Sequence, residues 1–226
     1  MEEYKILNLY ACLGGNRYKW DEVSDNIEVT AVELDEELAK LYQERFPNDK
    51  VIVGDAHQYL LDHYKEYNFI WSSPPCPTHS RFNFSMKTNK VWKMKYPDMK
   101  LYQEIIFLDN WFKGKYCVEN VIPYYEPLIP AKKRSRHLYW TNFNLPNDIN
   151  ERKNPQLSRG ASKDIVTSLC EYHGYDFYKY KGKQDVRKIA RNLVDYEAGK
   201  TILQTALGIE RKQNKKQTSI FDNKNV

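Results

Sequence analysis

The sequence predicts an α/β domain built on a mainly parallel sheet, and three observations support this. Apolar, strand-like runs alternate with helical stretches through the first half of the chain. Polar or acidic residues close successive runs, which is where open α/β sheets place their sites. The chain has 226 residues and 41% hydrophobic content, enough to bury one full core.

Residues 4–10 and 27–33 read as the first two strands. Residues 36–45, ahead of Pro47, read as a helix with Leu38, Leu41 and Tyr42 on one face. A short third strand at 50–53 precedes a helix at 57–64. The apolar strand 68–72 is stopped by Pro74 and Pro75, because proline supplies no N–H to a ladder. An amphipathic helix follows at 102–111, then a strand at 115–119 that ends in Glu119. From 142 to 163 the pattern dissolves into Asn, Pro, Arg, Ser and Gly and reads as a loop or small insertion. Helical periodicity returns at 164–172 and 196–207, and 210–226 reads as a mobile, basic tail.

The chain has no basic, apolar leader and no run near the ~20 apolar residues of a membrane span. We therefore expect a soluble, cytoplasmic protein. Cys12, Cys76, Cys117 and Cys170 lie far apart without a CxxC pair, so their spacing offers neither a zinc site nor a disulfide framework and suits a reducing compartment. The net charge is only +5, but basic residues cluster at Lys87, Lys90, Lys93, Lys95 and Lys100, at Lys132, Lys133, Arg134 and Arg136, and in the tail. Such clusters suit a phosphate backbone, with a solvated lysine-rich surface as the alternative for each.

Four segments carry the chemistry. In Leu9-Tyr10-Ala11-Cys12-Leu13-Gly14-Gly15-Asn16 a strand runs into paired glycines, which let backbone pass close to a ligand. Glu33, about twenty positions on, stands where nucleotide sites of this class bind ribose hydroxyls. Asp55 closes the third strand and is placed to accept from an adenine amino group. In Trp71-Ser72-Ser73-Pro74-Pro75-Cys76-Pro77-Thr78-His79-Ser80-Arg81, two prolines fix a rigid turn that presents a thiol at the sheet edge, poised as a nucleophile. Cys117 and Cys170, within an apolar strand and on a helix, read instead as small buried hydrophobes. The remaining segments are Val118-Glu119-Asn120-Val121 and Lys133-Arg134-Ser135-Arg136-His137.

In their order and spacing these segments resemble the DNA cytosine-5 methyltransferase family, over nearly the whole chain. That family carries a glycine-rich cofactor turn, a Pro-Cys nucleophile turn, Glu-Asn-Val and an Arg-x-Arg. The resemblance implies a Rossmann-like class I fold, with helices on both faces of the sheet and a minimal target-recognition insertion. It implies S-adenosylmethionine as cofactor, held by Tyr10, Ala11, Cys12, Leu13, Gly14, Gly15, Glu33, Leu34, Asp55, Ala56, Pro74, Asn192 and Val194. DNA is the implied partner, contacted by Ser80, Arg81, Lys87 and Lys90, with residues 82–96 as a mobile catalytic loop.

The implied chemistry answers a specific difficulty. Cytosine C5 is a weak carbon nucleophile, and adding a thiolate across C6 makes it enamine-like. Cys76 takes that role, Glu119 supplies a carboxyl to the N3 edge, and Asn120 fixes the local turn. Arg136 holds the base carbonyl or a phosphate, and Arg134 adds positive potential that favours the thiolate. C5 and C6 are hidden in a duplex, so the target nucleotide must flip out.

The chain departs from the family pattern at Asn8, Tyr10, Cys12, Pro77 and Arg191, which stand for an acidic residue, phenylalanine, glycine, glutamine and glycine. The domain reading is 1–143 catalytic, 144–163 a reduced target-recognition segment, 164–208 closing helices and 209–226 tail. With roughly twenty residues for target reading, few base edges are reachable, and we expect a short or degenerate site and salt-dependent binding. Gln217-Thr218-Ser219-Ile220-Phe221 resembles peptides that dock to the bacterial sliding clamp, implying contacts by Gln217, Ile220 and Phe221. A monomer is expected, in a phage protecting its genome or in a restriction system with a separate nuclease. Two alternatives stay open: an exocyclic-amino methyltransferase, in which a thiol has no use, and a catalytically silent DNA- or clamp-binding module of the same fold.

Overall fold

The computed structural model describes residues 3–85, 95–149 and 162–210. Lys87 and Lys90, most of the expected target-recognition segment and the clamp-like peptide lie outside the described residues.

Seven strands form one sheet in the order β3-β2-β1-β4-β5-β7-β6. They are β1 (Tyr4–Leu9), β2 (Ile27–Glu33), β3 (Lys50–Val53), β4 (Phe69–Ser72), β5 (Lys115–Val121), β6 (Lys132–Arg134) and β7 (His137–Thr141). The pairs from β3 through to β5 are parallel, while β7 runs antiparallel to both β5 and β6. The helices are α1 (Glu36–Arg45), α2 (Ala56–His63), α3 (Arg81–Ser85), α4 (Lys100–Trp111), α5 (Ser162–His173), α6 (Val186–Asn192) and α7 (Tyr196–Ala206). Among the described residues no helix is long and apolar enough to cross a membrane.

The central strands are buried on both faces, and the period-2 alternation of side chains divides the core. Leu7, Leu9, Val32, Ile70, Tyr116 and Val118 pack with Leu60 of α2 and Leu101, Ile105 and Leu108 of α4. On the opposite face Ile6, Val29, Phe69, Trp71 and Cys117 meet Trp20 and Ile202 and Leu203 of α7. A third cluster joins Leu13 to Leu38 and Leu41 of α1, Leu169 of α5 and Ile189 and Ala190 of α6. Aspartates start four of the helices: Asp35, Asp55, Asp185 and Asp195 each accept backbone N–H groups of the first turn, the expected use of a short carboxylate there.

The expected boundaries of β2, β3 and α1 match the observed ones. The β6–β7 hairpin and α6 were not anticipated. β6 is three residues of Lys-Lys-Arg, and its burial is too slight to write an apolar pattern. In α6 only Ile189 and Ala190 are buried, so a short, mostly exposed helix carries little periodicity.

Candidate active site

β1 is flanked by β2 on one side and β4 on the other, so the sheet reverses its winding between β1 and β4. Loops at the carboxyl ends of the strands open a crevice at such a point. The loop after β1 is a tight turn in which Tyr10, Cys12 and Gly14 all have positive φ, at 56°, 48° and 65°. For Tyr10 and Cys12 that conformation is strained, because Cβ crowds the carbonyl. Cys12 stands where the family pattern has glycine, and the backbone keeps the glycine-like conformation. Gly14 and Gly15 have a different reason to be glycine. A Cβ on Gly14 would lie 2.4 Å from the Phe46 ring, and one on Gly15 would lie 2.3 Å from the Val194 carbonyl oxygen. Leu193 and Val194 therefore pack directly on the turn.

Glu33 ties this turn to β2: its carboxyl accepts the Cys12 N–H at 2.8 Å and the Asp35 N–H at 2.9 Å. Burial raises its pKa above the usual carboxylate range. Burial, with Glu33 beside it, also pushes the Cys12 thiol up to about 12. Ala11 and Leu13 are buried in the core. Arg45 donates to the Leu13 carbonyl at 2.8 Å and holds the outer side of the turn.

A cavity of about 190 Å³ opens beyond the turn, between Tyr10, Leu34, Asp55, Ala56, Pro74, His79 and Leu101. Leu34 is 72% exposed, an apolar side chain with nothing packed on it. Asp55 caps α2 through the Gln58 N–H at 3.1 Å, which leads the causes holding its carboxyl below the ordinary value. Apolar faces with one carboxylate at the rim suit a flat heteroaromatic ring bearing an amino group. His79 is 1% exposed; Nδ1 meets the Tyr125 hydroxyl at 2.5 Å, and burial lowers the pKa of the ring.

Beneath Tyr10 lies a polar hub that the sequence reading did not find. Glu104 of α4 is fully buried, and its carboxyl accepts the Tyr10 hydroxyl at 2.5 Å and the Ser72 hydroxyl at 2.6 Å and meets Nδ1 of His57 at 3.0 Å. The signal was present: Glu104 sits among Leu101, Ile105 and Leu108 on the buried face of an amphipathic helix, where a carboxyl needs partners.

Cys76 follows the Pro-Pro turn at the end of β4, and its carbonyl accepts the N–H groups of His79 and Ser80, each at 3.0 Å. Asn120, 2% exposed, donates from Nδ2 to the Pro74 carbonyl at 2.9 Å and accepts the Val121 N–H at 2.9 Å. It thus fastens the Pro-Pro-Cys turn to β5. Glu119 is 6% exposed, with Nε2 of His137 at 3.6 Å from its carboxyl. Burial first, and Glu119 second, push the Cys76 thiol up to about 11, so it is protonated at neutral pH in this state.

Cys76 opens into a second cavity, with Pro77, Ser80, Phe82, Lys95, Lys188 and Asn192 as its other walls. Asn192 therefore faces the thiol's cavity, not the one beside Tyr10. Arg81 reaches the Pro123 carbonyl at 3.4 Å, and Ser80 pairs with Pro123. The Asn83 side chain, buried on α3, holds both backbone groups of Lys95, at 2.8 and 3.3 Å. Arg134 is occupied elsewhere, donating to Pro146 and Leu145 carbonyls and to the Asn147 side chain at 2.7, 3.3 and 3.1 Å. Arg136 is exposed at the hairpin turn.

Residues 4–107 match the family model described as C-5 cytosine-specific DNA methylase. No curated protein sequence matches the chain significantly. Among solved structures, the Entamoeba histolytica methyltransferase EhMeth aligns with 92% of this chain and 99% of its own, at 11% identity and a TM-score of 0.52, a likeness of fold. A Spodoptera frugiperda DNMT2 mutant aligns at 24% identity and a TM-score of 0.38, over 53% of this chain and 36% of its own. A putative DNA modification methyltransferase encoded within an Escherichia coli prophage aligns at 16% identity and a TM-score of 0.37, over 55% and 34%.

Proposed function

We propose, from the match of residues 4–107 to the C-5 cytosine-specific DNA methylase model, that this chain methylates C5 of a flipped-out cytosine in DNA through a covalent adduct of Cys76. The observation that carries the reading is the Asn120 clamp on Pro74, which holds Cys76 at the sheet edge next to Glu119.

S-adenosylmethionine is the cofactor and supplies the methyl group when bound. The cavity beside Tyr10 fits its adenosine part: Tyr10, Leu34, Ala56 and Pro74 offer apolar faces, and Asp55 offers an acceptor. Glu33 keeps acceptor capacity for a ribose hydroxyl beyond that taken by the Cys12, Asp35 and Leu34 N–H groups.

The Cys76 sulfur bonds to C6 while Glu119 supports the N3 edge, and the electron pair displaced from the C5–C6 bond is held toward N3. C5, now enamine-like, would take the methyl group from the sulfonium of the bound cofactor, the methyl–sulfur bond breaking to a neutral thioether as the bond to C5 forms. Loss of the C5 proton then drives the C6–S bond apart and returns the thiolate. Burial and Glu119 hold the Cys76 thiol up at about 11, so addition to C6 calls for a neighbouring group that favours the thiolate. Arg136, exposed and close in sequence to β7, is free to take the base carbonyl or a neighbouring phosphate. Ser80, Arg81, Lys87 and Lys90 complete the DNA contacts.

The test is duplex DNA containing 5-fluorocytosine, with cofactor present. Fluorine cannot leave as a proton does, so the adduct accumulates as a covalent complex. Cys76→Ser should lose the complex and all methylation. Methylation that persists in Cys76→Ser sinks the reading and favours an exocyclic-amino enzyme, and neither methylation nor trapping in the wild type favours a silent binding module.

The reading extends to a short or degenerate target, with affinity drawn from phosphates and falling steeply with salt. Methylation mapping that returned a fixed site of about six bases or more would overturn it. The 217–221 peptide would tether the enzyme to a bacterial sliding clamp and raise its local DNA concentration. Equal, negligible clamp binding by the tail peptide and its Phe221→Ala version would end that idea.

A further inference from the structure

Lys188 and Asn192 stand one turn apart on α6 and share a face. The opposite face, with Ile189 and Ala190, is buried against Leu13 and Leu38, which fixes how the helix presents its polar side. That side forms a wall of the cavity into which Cys76 opens. Asp185, the carboxylate nearest along the chain, is taken by Arg187 at 3.0 Å, and Lys188 has no carboxylate partner among the described residues. An unpaired ammonium thus borders the thiol's own cavity.

The expected source of positive charge is engaged elsewhere. Arg134 spends its guanidinium on the carbonyls of Lys133, Leu145 and Pro146 and on Asn147. We infer that Lys188, and not Arg134, is the positioning cation of the Cys76 cavity, favouring the thiolate that adds to the substrate carbon. This rests on the reading of Cys76 as the nucleophile.

The charges facing the thiol are few. Glu119 of β5 disfavours ionisation, Lys188 of α6 favours it, and Lys95 lines the same cavity from the segment before α4. His137 sits behind Glu119 and meets its carboxyl, not the sulfur. Among the described residues, removing Lys188 takes away the cation that opposes Glu119 at the thiol.

The experiment reads the thiol directly, in the full-length protein without DNA or cofactor. Iodoacetamide alkylation of Cys76 is followed by peptide-resolved mass spectrometry from pH 7 to 11, in wild type, Lys188→Gln and Lys188→Arg. Lys188 is exposed, so neither substitution threatens the fold. A solvent-exposed charge at the rim of the cavity shifts a thiol by about half a unit, so Lys188→Gln should slow alkylation at pH 8.5 by about 3-fold. Lys188→Arg should stay within about twofold of wild type, and about 1 M salt should bring wild type down toward Lys188→Gln. Superimposable profiles for wild type and Lys188→Gln overturn the proposal. The assay needs no methylation, so that failure is distinct from methylation surviving Cys76→Ser, which would remove the reading on which the proposal rests.

Discussion

Replacing Glu104 by alanine removes the hub beneath the cavity that Tyr10 lines, and its cost can be worked from the partners it leaves behind. The Ser72 hydroxyl is fully buried and loses its acceptor, which costs about 1–3 kcal/mol. The Tyr10 hydroxyl and His57 are partly exposed and recover some hydration, so each loses about 0.5–1.5 kcal/mol. Relief from burying the carboxyl itself returns part of this, leaving a net destabilisation of about 2–4 kcal/mol. Glu104→Gln keeps one acceptor oxygen and the side-chain volume, and should cost about 1–2 kcal/mol. Urea unfolding followed by the fluorescence of Trp20 and Trp71, both fully buried, reports these values. A double-mutant cycle with Tyr10→Phe should give a coupling of about 1 kcal/mol, since Phe already lacks the hydroxyl. Glu104→Ala should also weaken cofactor binding several-fold by calorimetry, because the Tyr10 ring forms part of the cavity wall. If Glu104→Ala unfolds within about 0.5 kcal/mol of wild type, or if the cycle is additive, the hub is not a hub.

Two further outcomes are expected. Asn120→Ala loses the hydrogen bonds to Pro74 and Val121 and should destabilise by about 1.5–3 kcal/mol. Trapping on 5-fluorocytosine DNA should fall in the order wild type, Asn120→Asp, Asn120→Ala, because Asp keeps only the contact to Val121; equal trapping rates would free the nucleophile turn from Asn120. Cys12→Gly relieves a residue held at φ 48° but loses a partly buried side chain, so thermal melting should place it within about 1 kcal/mol of wild type. Cys12→Val, β-branched at the same φ, should cost about 2 kcal/mol or more, and a Val variant as stable as Gly would contradict the strain.

The sequence by itself determined the alternation of strands and helices and the identity of the chemical groups. Buried parallel strands write apolar runs, and rigid turns write proline and glycine, so both are local signals. Cys76, Glu119 and Asn120 stood out in the sequence because each follows or lies within an apolar strand run; the structure adds the Asn120 hydrogen bond to the Pro74 carbonyl. Glu104, Arg45 and Lys188 were not legible as site residues, since their roles depend on distant partners: Glu104 reaches Tyr10, 94 positions away, and Arg45 reaches Leu13, 32 positions away. The ordinary helical positions they occupy carry no mark of those contacts. Arg134 shows the converse, a motif residue whose hydrogen bonds go to the chain at 145–147. Motif spacing fixes which groups a chain carries, but only packing decides which charge faces the thiol, because Coulomb interaction depends on distance in space and on the solvent left between the groups.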